Sequence, residues 1–383
     1  MKNKYRFQTV DAAIISVAHL LHDVYSSFLS PILPLLIEKL GMSYSAAGFL
    51  SVAQRLPSLL SPAVGLIADK VSVRYFLIAA PSITAISMSL LGVAPNYHVL
   101  VALLVIMGIG SLMFHVPAPV MMRRVSGKRV GLGMSLFMVA GEGARSIGPL
   151  MILGAASLWG LEGTWRLIPL GLACSLFLYA RIRNIRISDE FSRNESPKDL
   201  RLTIKQAMST FKMVAAFMGS RSLMKGALST FLPLYLTHQG ASIWLAGISL
   251  TVVQFSGAVG TLLSGTLSDK IGRKKTLMIT AVSSPILMGL FLVVNGPLLF
   301  PLLMAIGFFL MAPTPVLLAS VNERKSDHPA FVNSIYMMIN FTISSIAVML
   351  VGILSDMIGF RLTYQIAVLL SIGAIPVTIR MKN

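Results

Sequence analysis

The sequence predicts an all-α membrane protein: twelve transmembrane helices in two six-helix halves related by pseudo-symmetry. Three observations carry that reading. Of the 383 residues, 55% are hydrophobic and 12% charged, about half the charged share of a soluble domain. Apolar runs long enough to cross roughly 30 Å of hydrocarbon as a helix recur from end to end. A short polar element at the end of the second run returns, with an offset of 200, at the end of the eighth.

The runs cover residues 9–38, 44–67, 75–94, 97–121, 131–157, 162–180, 208–237, 243–267, 276–294, 297–320, 331–354 and 361–379. They are continuous, which excludes the alternating pattern of a membrane β-barrel. The first run follows Lys2, Lys4 and Arg6 as a signal peptide would. It is too long for one, however, and is interrupted by His19, His22 and Asp23, so it reads as a retained first helix. The longest polar interval, Arg181 to Gln206, separates six spans from six. The expected organisation is a bundle over 1–180, a cytoplasmic linker over 181–207 and a second bundle over 208–383.

A net charge of +18 would suit nucleic acid, but its placement gives a different reading. With the N-terminus inside, most of the 32 Lys and Arg fall in cytoplasmic segments, and only Lys39, Arg166 and Arg361 fall in outer ones. That asymmetry is the positive-inside pattern. Both termini are therefore expected in the cytoplasm, with no nucleic-acid partner. Cys174 is the single cysteine, so no intrachain disulfide is possible, and it reads as a small apolar residue of the sixth helix.

The repeat sits at the inner ends of helices two and eight. GLIADKVSVR begins at Gly65 and GTLSDKIGRK at Gly265, and Gln54 and Gln254 keep the same offset upstream. Parallel repeats of this kind build transporters that hold substrate between their halves near the midplane. The second copy, GTLSDKIGRKK from Gly265 to Lys275, resembles the signature loop of the major facilitator superfamily, and the first copy is its looser counterpart. Within that superfamily, AHLLHDVYSSFLSPILPLL (18–36), MFH ending at His115 and SGKRVGLGMSLFMVAGEGARSIGPL from Ser126 resemble the fosmidomycin-resistance efflux group. The resemblance implies the major facilitator fold, a bacterial inner membrane and proton-driven export of drugs or other small molecules. Two departures stand out. The group's Phe-His-Pro-Glu is here Phe114-His115-Val116-Pro117, without the Glu, and in helix five Ala144 replaces a Gly while Glu142 and Arg145 stand where neutral residues are common.

In the repeated loop, Gly65 and Gly265 are expected to let helices approach closely. Asp69 and Asp269 are expected to bond a neighbouring helix N-terminus or an Arg in one conformation and release it in another. Lys70, Arg74, Gly272, Arg273, Lys270 and Lys274 complete the gating loops.

Charges inside apolar spans each cost about 2.5 to 3.5 kcal/mol at the bilayer centre, so they should face a cavity or a partner. They are Asp23, Arg55, Glu142, Arg145, Arg221 and Lys225. His19, His22 and Asp23 share one helix face by their i+3 and i+4 spacing, as do Glu142 with Arg145 and Arg221 with Lys225. For Glu142 and Arg145 an internal salt bridge is the plain alternative. The cation surplus points to an anionic substrate such as a phosphonate, phosphate or carboxylate, which Arg grips with a planar fork. Arg55, Arg145, Arg221, Lys225, His19, His115, Gln54 and Gln254 are the substrate candidates. Asp23, Glu142 and His22 are the proton-coupling candidates, because coupling needs groups that change protonation. Imidazole and carboxylate also suit a divalent cation, but the Arg residues nearby oppose one, so no metal is expected. The proline pairs Pro31 with Pro34, Pro117 with Pro119 and Pro313 with Pro315 should interrupt helices.

No P-loop and no Ser-His-Asp arrangement is present, so the chain does not read as an enzyme. The reading is a proton-coupled secondary active transporter that works by alternating access and exports a small anionic organic compound or drug in antiport. It is expected to be a monomer that needs no cofactor beyond the proton gradient. An importer of an organic anion such as a carboxylate would use the same residues, and a non-transporting sensor or scaffold on the same fold stays open.

Overall fold

The computed structural model describes residues 7–60, 74–185, 197–294, 296–322 and 329–381. Among them are helices and no strand. The described part of each of the twelve expected spans is mainly helical, and eight helices among the described residues are long and apolar enough to cross a membrane. The chain divides into two compact units, Met1–Met42 with Ala53–Arg193, and Ser43–Val52 with Asn194–Asn383.

In the first unit the opening stretch is two helices, α1 (Thr9–Ser26) and α2 (Leu29–Leu40). Pro31 has no N–H to give the carbonyl of Ser27, so the ladder opens at that point. The Ser26 carbonyl, at the last residue of α1 where helix carbonyls lack intrahelical partners, accepts a hydrogen bond of 2.7 Å from Gln54 Nε2 at the end of α3 (Tyr44–Arg55). There follow α4 (Arg74–Ser89), α5 (Tyr97–His115), α6 (Pro117–Val125), α7 (Val130–Trp159) and α8 (Ile168–Ile182). Pro117, at the first turn of α6, divides it from α5, leaving His115 as the last residue of α5. The helix α1 packs against α7, α4 and α8. The core between them is built from Ala12, Ile15, Ala18, Phe114, Met121, Phe137 and Leu178, all less than a tenth exposed. Small residues decide the close approaches, as expected where lipid offers no hydrophobic drive between helices. A Cβ on Gly148 would collide with Ser27 Oγ, and one on Gly108 would lie 2.4 Å from the Gln54 carbonyl.

The second unit holds α9 (Pro197–Ser229), α10 (Leu232–His238), α11 (Ile243–Ile271), α12 (Arg273–Phe291), α13 (Leu299–Met311), α14 (Pro313–Asn322), α15 (Pro329–Ser371) and α16 (Ala374–Ile379). Helix α9 starts at Pro197, inside the interval read as linker, because Pro at a first turn is pre-set for helix and the following residues carry no breaker. Helix α15 contains the eleventh expected span and the first part of the twelfth, which ends in α16, and the two are joined at Gly359, whose φ of 78° lies in the left-handed region that Gly adopts without strain. Helix α9 packs along α15, and α11 along α13. The α11–α13 contact is close, since a Cβ on Gly260 would meet the Phe308 carbonyl and one on Gly307 the Val253 carbonyl. Residues 43–52 count with this unit. The Asp356 carboxylate accepts the N–H groups of Tyr44 (2.8 Å) and Ser45 (2.7 Å), capping the first turn of α3, and Gly352 leaves room for the Tyr44 carbonyl.

Candidate functional site

The polar stripe read from α1 is a buried cluster in the first unit. His19, His22 and Asp23 are each 5% exposed or less. Asp23 Oδ2 lies 3.4 Å from His19 Nε2, and Asp23 Oδ1 lies 3.2 Å from His115 Nε2, which enters from the end of α5. The His115 side chain is 40% exposed, so the cluster opens to the surface there.

Two residues of α7 that sequence reasoning passed over seat His19. Its ring stacks on Phe137 at 3.9 Å between centroids, and its Nδ1 is 2.8 Å from the Phe137 carbonyl oxygen. Gly141, one turn on, leaves the space the ring fills, for a Cβ there would lie 2.4 Å from His19 Cε1. The nearest sequence signal was the run of Gly residues in α7. His22 stacks on Phe114 at 4.5 Å, and both its ring nitrogens are buried without a hydrogen-bond partner among the described residues. Such groups are costly to leave unpaired, so they mark a site with work beyond packing.

Glu142 and Arg145 form the intrahelical ion pair that was the plain alternative, at 3.2 Å. Arg145 also interacts electrostatically with Asp23 and with Arg55 of α3. The partners nearest Asp23 are thus the two imidazoles rather than the Arg residues expected. Gln54, a substrate candidate, gives one amide N–H to the Ser26 carbonyl at the end of α1. Its counterpart Gln254 is half-buried on α11.

In the second unit Arg221 and Lys225 share a face of α9, as their spacing requires, and line one pocket with Phe217, Ser222, Thr314 and Asn340. The lining has two cations and no carboxylate. Arg221 is 5% exposed, and its Nη2 donates to Ser284 Oγ (2.6 Å) and to the Phe309 carbonyl (2.9 Å). It ties α9 to α12 and α13, with its guanidinium over the Phe217 ring. Arg221, a substrate candidate, thus lines the pocket while its Nη2 is bonded to protein acceptors, and its Nε has no hydrogen-bond partner among the described residues.

In the second gating loop Asp269 pairs locally with Arg273 at 2.6 Å. Arg273 also bonds Ser268 Oγ, and Lys274 reaches the Met381 carbonyl at 2.7 Å. Gly272 has φ 92°, which explains the second Gly of the motif. Among the described residues nothing lies within 4 Å of a Cβ placed at Gly265. Lys270 is exposed. Gly65, Asp69 and Lys70 lie outside the described residues, and Arg74 opens α4 with its guanidinium over the Tyr75 ring.

A chain of apolar spanning helices, with charge buried in clusters inside each half, defines a membrane transporter rather than an enzyme. The chain belongs to the Major Facilitator Superfamily, whose family model matches residues 15–344 and 214–381. Among individual relatives it is similar to the fosmidomycin resistance protein of Escherichia coli (strain K12), with 26% identity, 93% of this chain and 89% of that one covered. It is also similar to the uncharacterized MFS-type transporter YfnC of Bacillus subtilis (strain 168), at 23% identity over 91% and 87% of the two chains. The multi-drug resistance efflux pump PmrA of Streptococcus pneumoniae is 22% identical over 68% and 67%. Two solved structures share the fold. A bacterial homolog of the human lysosomal transporter Spinster has TM-score 0.79, 13% identity and coverage of 98% and 97%. A point mutant of the nucleoside transporter NupG has TM-score 0.77, 16% identity and coverage of 97% and 100%. The protein is thus a multi-pass secondary transporter of a bacterial membrane, carrying a small molecule.

Proposed function

We propose that the protein is a proton-coupled exporter of a small anionic organic compound, working by alternating access. The observation that carries the coupling is Asp23, a carboxylate only 5% exposed inside a spanning helix, with an imidazole within 3.4 Å on either side. Burial penalises a charged carboxylate and neighbouring cations favour it, so movement of helices around Asp23 changes its hold on a proton. His22 beside it and Glu142 on α7 are the remaining groups of the proton route.

The anionic class rests on the pocket of α9. Lys225 would meet the substrate's negative group there, with Arg221 adding its field from behind, and the lining offers no carboxylate to cancel them. In the first unit Arg55 and Arg145 interact with each other as like charges, with His115 exposed on the same unit. Export, rather than import, is supported by relatives named for fosmidomycin resistance and for multidrug efflux. Residence in the inner membrane with both termini cytoplasmic and activity as a monomer belong to the same reading, as do gating by Asp269 with Arg273 and by their first-half counterparts.

Counterflow in proteoliposomes with an imposed pH gradient tests it. Substrate moving against the proton flow supports export, and substrate moving with it overturns that direction. A thermal-shift screen of phosphonates, phosphorylated metabolites and carboxylates tests the class. Stabilisation by neutral or cationic drugs alone would overturn an anionic substrate.

A further inference from the structure

We propose that His19, Asp23 and His115 form a binding site for a divalent transition-metal ion of the zinc type, with one coordination position open beside His115. One ligand atom from each of the three residues lies within 4.8 Å of the other two.

The argument begins with the tautomer of His19. A carbonyl oxygen only accepts, so the 2.8 Å contact to Phe137 puts the proton of a neutral ring on Nδ1. The Nε2 lone pair then faces Asp23 Oδ2, another acceptor, at 3.4 Å. Two acceptors so placed are reconciled by a proton on Nε2 or by a metal ion between them, and the spacing separates the two. The contacts are also poor as hydrogen bonds. Charge-assisted ones run at about 2.7–2.9 Å, whereas these are 3.4 and 3.2 Å. His19 faces Oδ2 and His115 faces Oδ1, so each imidazole has its own carboxylate oxygen within the spacing of neighbouring ligands around an ion. Tetrahedral nitrogen and oxygen ligands at about 2.1 Å from a metal stand about 3.4 Å from one another.

The surroundings support the same assignment. A ligating imidazole usually gives its other N–H to a carbonyl or carboxylate, which sets tautomer and orientation, and the Phe137 carbonyl does this for His19. Phe137 and Phe114 stack on the His19 ring, at 3.9 and 5.6 Å, and hold it in place. The sequence argument against a metal was repulsion by Arg, and Arg145 is the Arg within electrostatic reach of Asp23. Its guanidinium is paired with Glu142, which offsets much of that charge. His22 is near the site, its ring 5.4 Å from that of His115, with both nitrogens unpartnered among the described residues. Three protein ligands and an open fourth position are the arrangement of a zinc site that admits an outside ligand. The exposed flank of His115 is where a water or an oxygen of a transported anion would enter. Imidazole with carboxylate suits zinc, cobalt, nickel or copper better than magnesium or calcium.

The test uses the purified full chain in detergent, with any affinity tag removed. Cobalt(II) serves as the optical probe and zinc(II) as the competitor, followed by visible absorption and titration calorimetry. The expected result is one ion per chain, with the absorption of a low-coordinate cobalt site, displaced by zinc. His115→Ala should weaken zinc binding at least 100-fold, and because His115 is half-exposed at a helix end this variant should stay folded. Gly141→Ala, which moves His19 without removing a ligand, should weaken it about 10- to 100-fold, as loss of a ligand's support does. The site is overturned if the wild-type chain binds no cobalt in stoichiometric titration, or if His115→Ala binds zinc as tightly as wild type. Binding is measured without transport, so a failed titration overturns the metal site alone, while counterflow decides the transport reading separately.

Discussion

Two glycines on one helix provide an internal control for the seating of His19. A Cβ added at Gly141 would stand 2.4 Å from His19 Cε1, whereas one added at Gly143 has nothing within 4 Å. Ordinary contact starts near 3.4 Å, so Gly141→Ala must drive the imidazole back by about 1 Å. That is enough to take Nδ1 out of hydrogen-bond range of the Phe137 carbonyl, now 2.8 Å away. Overpacking costs about 1–3 kcal/mol and the lost hydrogen bond about 0.5–1.5 kcal/mol. Ala in place of Gly within a helix returns about 1 kcal/mol. The net for Gly141→Ala is a loss of roughly 2 kcal/mol, and Gly143→Ala should gain up to about 1 kcal/mol. Thermal unfolding of the two variants in the same detergent, with counterflow on the same preparations, measures both effects. Gly141→Ala should unfold at a lower temperature than wild type and transport poorly, and Gly143→Ala should match or exceed wild type in both. Equal behaviour of the two variants would refute the reasoning that Gly141 exists to seat His19.

Asp23→Asn should abolish substrate movement driven by a pH gradient while leaving substrate exchange at equal pH measurable; unchanged gradient-driven flux would remove Asp23 from the coupling. Gln54→Ala leaves the Ser26 carbonyl without its donor and should cost about 1–3 kcal/mol of stability, with ligand affinity unchanged per folded molecule; a changed affinity at unchanged stability would assign Gln54 to substrate instead. Lys225→Gln should weaken anion binding in a thermal-shift titration at least tenfold with little loss of stability. Arg221→Ala should do the reverse first, lowering stability by about 1–3 kcal/mol as Ser284 and the Phe309 carbonyl lose their donor. Asp356→Ala removes the cap on Tyr44 and Ser45 and should cost about 1 kcal/mol in thermal unfolding.

The class of fold was legible because the bilayer imposes it. Each span must be long, apolar and helical to satisfy its own backbone in lipid, so the twelve runs could be read from hydropathy, and their described residues are mainly helical. The face shared by His19, His22 and Asp23 was equally legible, since helical spacing is fixed by geometry. What a given polar group bonds was not. Gln54 and Gln254 look alike in the repeat, yet Gln54 gives an amide N–H to the Ser26 carbonyl at the end of α1. Arg221 and Lys225 are one turn apart, yet Arg221 bonds Ser284 and Phe309, residues far along the chain. Gly265 belongs to a motif read as close packing, while among the described residues the close approaches of α11 fall at the glycines 257, 260 and 307.

By itself, then, the sequence determined that this is a membrane transporter of two repeated halves with ionisable groups placed inside its spans. Those properties follow from local spacing and from the cost of polar groups in lipid, which any span must meet alone. Only the tertiary structure decided that Asp23 lies between His19 and His115, that Phe137 and Gly141 of α7 hold His19 in place, and that Arg221 is bonded to Ser284 and Phe309. A buried polar group takes whichever partner the neighbouring helices bring within about 3 Å, and that choice is made between elements far apart in the chain.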